Sequence, residues 1–151
     1  MQVLFTRNPT SWFSKSIQAV TQEPVSHVAF QLGPWVLHAT GRGIHAQTLS
    51  TFYKQNRVVF RVPIWGIGPD TVLQRFADRE FRHYDFKGVL FFGLHLLARR
   101  VLPGLTPKVN LWQDTGMDFC VELVEHLLGK PDRGSMLTPY GLYKQLSRPK
   151  G

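Results

Sequence analysis

A thiol attacks carbonyls only where something favours its thiolate and something else accepts its proton. This chain has one cysteine, Cys120, set in a segment that could do the first. Phe119, Leu123, Val124, Leu127 and Leu128 form an apolar stripe at helical spacing, and Gly129 fits the helix end. Asp118 or Thr115 can cap the start, and either cap puts Cys120 in the first turn or just beyond it. There, unpaired backbone amides and the positive end of the helix dipole stabilise negative charge. The same amides, including that of Cys120, could hold the oxyanion of a tetrahedral intermediate.

Imidazole titrates in the range needed to take a proton and return it, and six histidines are available. His27 and His38 fall in two adjacent apolar runs joined by Gly33-Pro34. A hairpin would set them side by side, with His38 orienting the ring of His27. His45, His83 and His126 read as surface or helix-flank residues, and His95 interrupts an apolar helix. Glu122, two positions beyond Cys120, should point away from it on a helix. Arg42, between two glycines beside the hairpin, is a candidate contact for an anionic substrate group. The plainer alternative for Cys120 is a small buried hydrophobe. A further alternative makes His27, His38 and Cys120 three ligands of a zinc ion, although no fourth ligand is suggested.

The elements that must bring these groups together are legible from periodicity and punctuation. A short strand is expected over residues 2–7. Asn8-Pro9-Thr10-Ser11 then supplies a turn and cap for a helix over 12–20. Strands follow over 25–32, 35–39 and 44–48, then a helical turn over 49–55 and a strongly β-branched strand over 57–64. From residue 69 onward Val72, Leu73, Phe76, Ala77 and Phe81 recur at helical spacing. Helices are expected at 88–98 and 118–128, and a short capped one follows Thr138-Pro139. Strands first and helices later predict an α+β fold, a small antiparallel sheet packed against helices, in one domain spanning residues 1–151.

Ser26-His27-Val28-Ala29-Phe30-Gln31-Leu32-Gly33, followed by Trp35-Val36-Leu37-His38-Ala39, resembles the paired-strand motif "S-H-V-G-I-Y-I-G … V-I-H-A" of NlpC-like papain-fold hydrolases. Ordinary members place the cysteine helix before those strands. The circularly permuted branch, which includes YiiX- and YaeF-like proteins, places it after them as "F-C-S-E-L-V". Phe119-Cys120-Val121-Glu122-Leu123-Val124 is similar to that segment. Tyr84-Asp85-Phe86 and Thr138-Pro139-Tyr140-Gly141-Leu142 resemble the branch's "Y-D-F/Y" and "T-P-x-x-L", so the likeness runs in order from residue 2 to about residue 146. The resemblance implies a permuted papain-like fold with Cys120 as nucleophile, His27 as catalytic histidine and His38 as the group that orients it. Permuted members often carry Glu where His38 stands, and Val121 replaces a small polar residue. By the same resemblance Tyr84 lines the site. The implied reaction is thiol-dependent hydrolysis of an amide, such as one in a cell-wall peptide, without a cofactor. Relatives of the fold also handle lipid acyl groups.

Composition narrows the partners. A formal charge of +8, from 18 Lys+Arg against 10 Asp+Glu, favours anionic partners, but the positive residues are dispersed and no aromatic-interleaved basic motif indicates specific nucleic-acid binding. The expected partner is a small peptide-like or lipid-like substrate, with an anionic one favoured by the charge. One cysteine excludes an internal disulfide. The apolar run at 88–98 is shorter than the roughly 20 residues that span a bilayer, and the start of the sequence does not read as a signal peptide. The expected setting is cytoplasmic or phage-associated. A non-catalytic binding or assembly module of the same fold is the alternative function.

Overall fold

The computed structural model describes residues 1–79, 83–84, 117–118, 120–130 and 137–148. The helix expected at 88–98 lies outside them. The sequence order is β1 (Gln2–Arg7), α1 (Trp12–Thr21), β2 (His27–Leu32), β3 (Trp35–Thr40), β4 (Gly43–Thr48), α2 (Leu49–Gln55), β5 (Arg57–Pro63), α3 (Pro69–Ala77), β6 (His83–Tyr84), β7 (Met117–Asp118), α4 (Cys120–Leu127) and α5 (Pro139–Leu146). The fold is α+β: five strands form an antiparallel sheet in the order β4-β3-β2-β1-β5. The two-residue strands β6 and β7 pair in parallel, which puts the backbone of Tyr84 opposite Asp118, just before the cysteine helix.

The interior strand β1 is covered on both faces, so Val3, Leu4, Phe5 and Thr6 are all fully buried. Strand alternation divides them. Val3 and Phe5 join Val28, Phe30, Leu37 and Ala39 in the larger core, together with Val72 and Phe76 of α3, the apolar side of α4, and Leu142 of α5. Leu4, Ala29 and Val36 face the other way, against Phe52 of α2. Tyr143 of α5 meets Phe5 edge-on and stacks on Phe60 of β5 with ring centroids 4.2 Å apart. These contacts pin the last helix to the sheet.

Local chemistry sets the helix ends. Ser11 caps α1 and Thr48 caps α2, each accepting a backbone N–H three residues on, and Thr138 does the same for α5 before a proline. At the other end of α4, Gly129 adopts φ +80, where a Cβ would sit 2.8 Å from the Arg75 guanidinium. Arg75 Nη1 donates to the Leu127 carbonyl at 2.9 Å, satisfying one of the last acceptors of the helix. That bond locks α4 to α3. Gly129→Ala combines a left-handed backbone with a steric clash, so it should destabilise the fold by about 1–2 kcal/mol or more, measurable by urea denaturation.

Candidate active site

The site begins where two strands stop pairing. β2 pairs with β3 only through Phe30–Leu37, Gln31–Val36 and Leu32–Trp35, leaving residues 27–29 of β2 unpaired with β3. In that gap His27 Nε2 lies 3.2 Å from His38 Nδ1. The side-by-side arrangement expected of these histidines is thus present. His38 is 3% exposed, and its Nε2 is buried with no hydrogen-bond partner. Phe52 stacks edge-on against it, at a centroid distance of 5.4 Å.

A third imidazole completes the cluster. His45 sits opposite His38 in the β3–β4 register, and the two ring centroids are 4.5 Å apart. The sequence reading placed His45 on the surface. It is instead half-buried on β4, its Nδ1–H donating to the Gly43 carbonyl at 3.1 Å. The two-residue turn at Gly41 and Arg42 sets the register that pairs position 38 with position 45.

Cys120 is the first residue of α4, whereas an Asp118 cap would make it the second and a Thr115 cap the fifth. It is 6% exposed and belongs to the larger core. Burial pushes its thiol up to about 11, while the neighbouring backbone amides of Val28, Val121 and Cys120 itself favour the thiolate. Two of those amides belong to the helix start, and the third belongs to the residue after His27. The nearby charge of Glu122, which is buried and not turned away to solvent, acts against the thiolate. Among the described residues no hydrogen bond joins the sulfur to either His27 or His38. His27 lies on the Phe52 side of the sheet, with ring centroids 6.4 Å apart. The structure therefore brings His27, His38 and His45 together, and brings Cys120 to the strand position next to His27 from the opposite face.

Electrostatics make the pair neutral at rest. Burial, reinforced by the charge of His45, lowers His27 to about 4. Burial, then His27 and His45, lowers His38 to about 2. A ring so reluctant to protonate acts toward His27 as an acceptor. If His27 is to take a proton on Nδ1, its own proton must sit on Nε2 and point at His38 Nδ1. His38 then carries its proton on Nε2.

A pocket of about 580 Å3 opens over these imidazoles, lined by His27, His38, His45, Arg42, Ser14 and Ser26 among others. Cys120 does not line it. The Ser14 and Ser26 hydroxyls hydrogen-bond at 2.5 Å, tying α1 to the start of β2. Arg42, expected to contact an anionic group, stands at this pocket, on the β3–β4 turn. The side chain of Tyr84, the remaining expected lining residue, lies outside the described residues. Among the described residues no group of three His, Cys, Asp or Glu side chains converges as a metal site. No described helix is long and apolar enough to cross a membrane. Comparison with family models, with curated proteins and with solved structures gives no match.

The half-buried His27 and the buried His38 resist protons that the unfolded chain accepts below its ordinary histidine pKa of about 6.5. Their contribution to stability is full above that value and is lost as pH falls toward about 4, with His38 extending the loss below it. The melting temperature should fall steadily between pH 7 and pH 4.5. In the double variant His27→Gln, His38→Asn the slope should flatten, as read by circular dichroism.

Proposed function

We propose that the chain is a cysteine hydrolase with a permuted papain-like arrangement, the nucleophile helix following the sheet, that cleaves an amide through a thioester on Cys120. The observation that carries this reading is the convergence on one sulfur of the two amides that open α4 and the amide next to His27, whose Nε2 is itself held by His38. For the reaction the unpaired start of β2 must shift so that the His27 ring meets the sulfur; His27 then takes the thiol proton as the sulfur attacks the carbonyl, and a C–S bond forms. The amides of Cys120 and Val121, at the helix start, are the donors proposed for the developing oxyanion. The C–N bond then breaks, and the leaving amine takes the proton from His27. Water, deprotonated by the same imidazole, hydrolyses the thioester and restores the thiol. Throughout, His38 accepts the Nε2–H of His27 and steadies the imidazolium.

Because thiol and imidazole are both neutral near pH 7, proton transfer accompanies attack instead of preceding it. Acylation should therefore rise as His27 deprotonates through about pH 4 and stay level across neutral pH. A pH series of pre-steady-state rates with p-nitrophenyl acetate checks this. The experiment that tests the reading is the same ester with the product of one turnover analysed by mass spectrometry. The wild type should release one equivalent of p-nitrophenol in a burst and carry an acetyl group on Cys120. Cys120→Ala should abolish the burst, and His27→Ala should slow it by about 100-fold or more. A burst that survives in Cys120→Ala overturns the assignment. Burial of the sulfur favours the second reading, a binding module with a silent thiol. That reading expects alkylation of Cys120 by iodoacetamide at pH 7 to be slow and indifferent to His27→Ala.

A further inference from the structure

The pocket over the imidazoles has a composition that the proposed chemistry does not require. Of the sixteen residues that line it none is Asp or Glu, and only Ile17 and Ala39 offer aliphatic side chains. The rest of the wall is hydroxyls, carboxamides, three histidines, one glycine and Arg42. An acyl chain would find no apolar surface there comparable to its own, whereas an oxyanion would find donors and a guanidinium with no competing carboxylate on the wall.

Position relative to the reacting groups assigns the half of the substrate. The general acid of the proposed reaction stands beside the atom that departs, so a leaving group that reaches His27 past the unpaired start of β2 emerges on the imidazole side. The pocket is lined by His27 and His38 and not by Cys120. From this geometry we infer that the pocket binds the leaving-group portion of the substrate, and that this portion is a polar amine bearing a carboxylate or phosphate held by Arg42, with His45 beside it. The inference rests on the hydrolase reading for the words "leaving group", while the oxyanion site itself does not depend on it. It assigns any lipid acyl group to the opposite, sulfur side.

Arg42 is well suited to the task. It sits on the β3–β4 turn, with its backbone N–H donating to Thr40 Oγ1 at 3.2 Å, and its side chain is exposed to an incoming ligand. His45 is oriented from below by its bond to the Gly43 carbonyl.

The test uses inorganic phosphate and acetate as separate probes, titrated into the full chain at constant ionic strength set with chloride, and followed by histidine ring NMR. At least one probe should move the His45 and His27 resonances in a saturable way, and Arg42→Gln should weaken that binding at least tenfold. Cys120→Ala should leave it unchanged, since the sulfur is outside the pocket. Arg42→Lys should restore part of the affinity, showing that charge at the turn is what matters. Saturable binding that is indifferent to Arg42→Gln, or no movement of His45 with either probe, overturns the inference. If phosphate or acetate binds as described but Cys120 forms no acyl-enzyme, the hydrolase reading fails and the oxyanion site stands. If the acyl-enzyme forms and neither anion binds, the reverse holds.

Discussion

The parting of β2 from β3 after Phe30 and Leu37 is the constraint on which the rest of the site depends. A fully zipped hairpin would continue the register so that His27 lay opposite Thr40. The interruption instead frees one end of β2, lets the His27 ring reach His38 Nδ1, and leaves the Val28 amide able to meet a sulfur arriving from the other face. Sheets usually satisfy their backbone groups by pairing. Here the pairing is surrendered locally, and a helix start together with an imidazole pair takes its place.

Two cores hold that opening in shape. Phe52 of α2 braces the histidine face, and α4 presses on β2 and β3 from the other, anchored at its far end by Arg75 and Gly129. The sulfur and the imidazoles are thus fixed by different elements, and the thin unpaired stretch of β2 is what lies between them. Burial from both sides drives their protonation behaviour: the thiol keeps its proton and the imidazoles refuse theirs.

Most of the architecture was legible because its signals are strong. β-branched runs gave β1, β3 and β5 within a residue or so, and Ser11, Thr48 and the Thr138-Pro139 pair announced helix starts. β2 begins two residues later than expected, with Val25 buried in the core and Ser26 bonded to Thr6 and Ser14. The short parallel pair β6–β7 is too brief to leave a periodic trace. His27 and His38 could be paired from the hairpin alone. His45 could not, since its partnership appears only once the β3–β4 register is fixed. Nor does sequence spacing disclose which face of the sheet each group occupies when a strand comes unpaired, which is why Cys120 and the histidines sit on different sides of one gap.

His38 is an imidazole in a place where a carboxylate would do the same orienting work. An ionised acid there would need a counter-ion or several donors to tolerate burial beside Phe52. The uncharged ring needs neither, so the three central residues of this site are electrically silent at rest. Among the residues that line the pocket, Arg42 alone carries a permanent full charge, and the field felt by an approaching molecule is shaped at the rim, at a turn, and not at its floor.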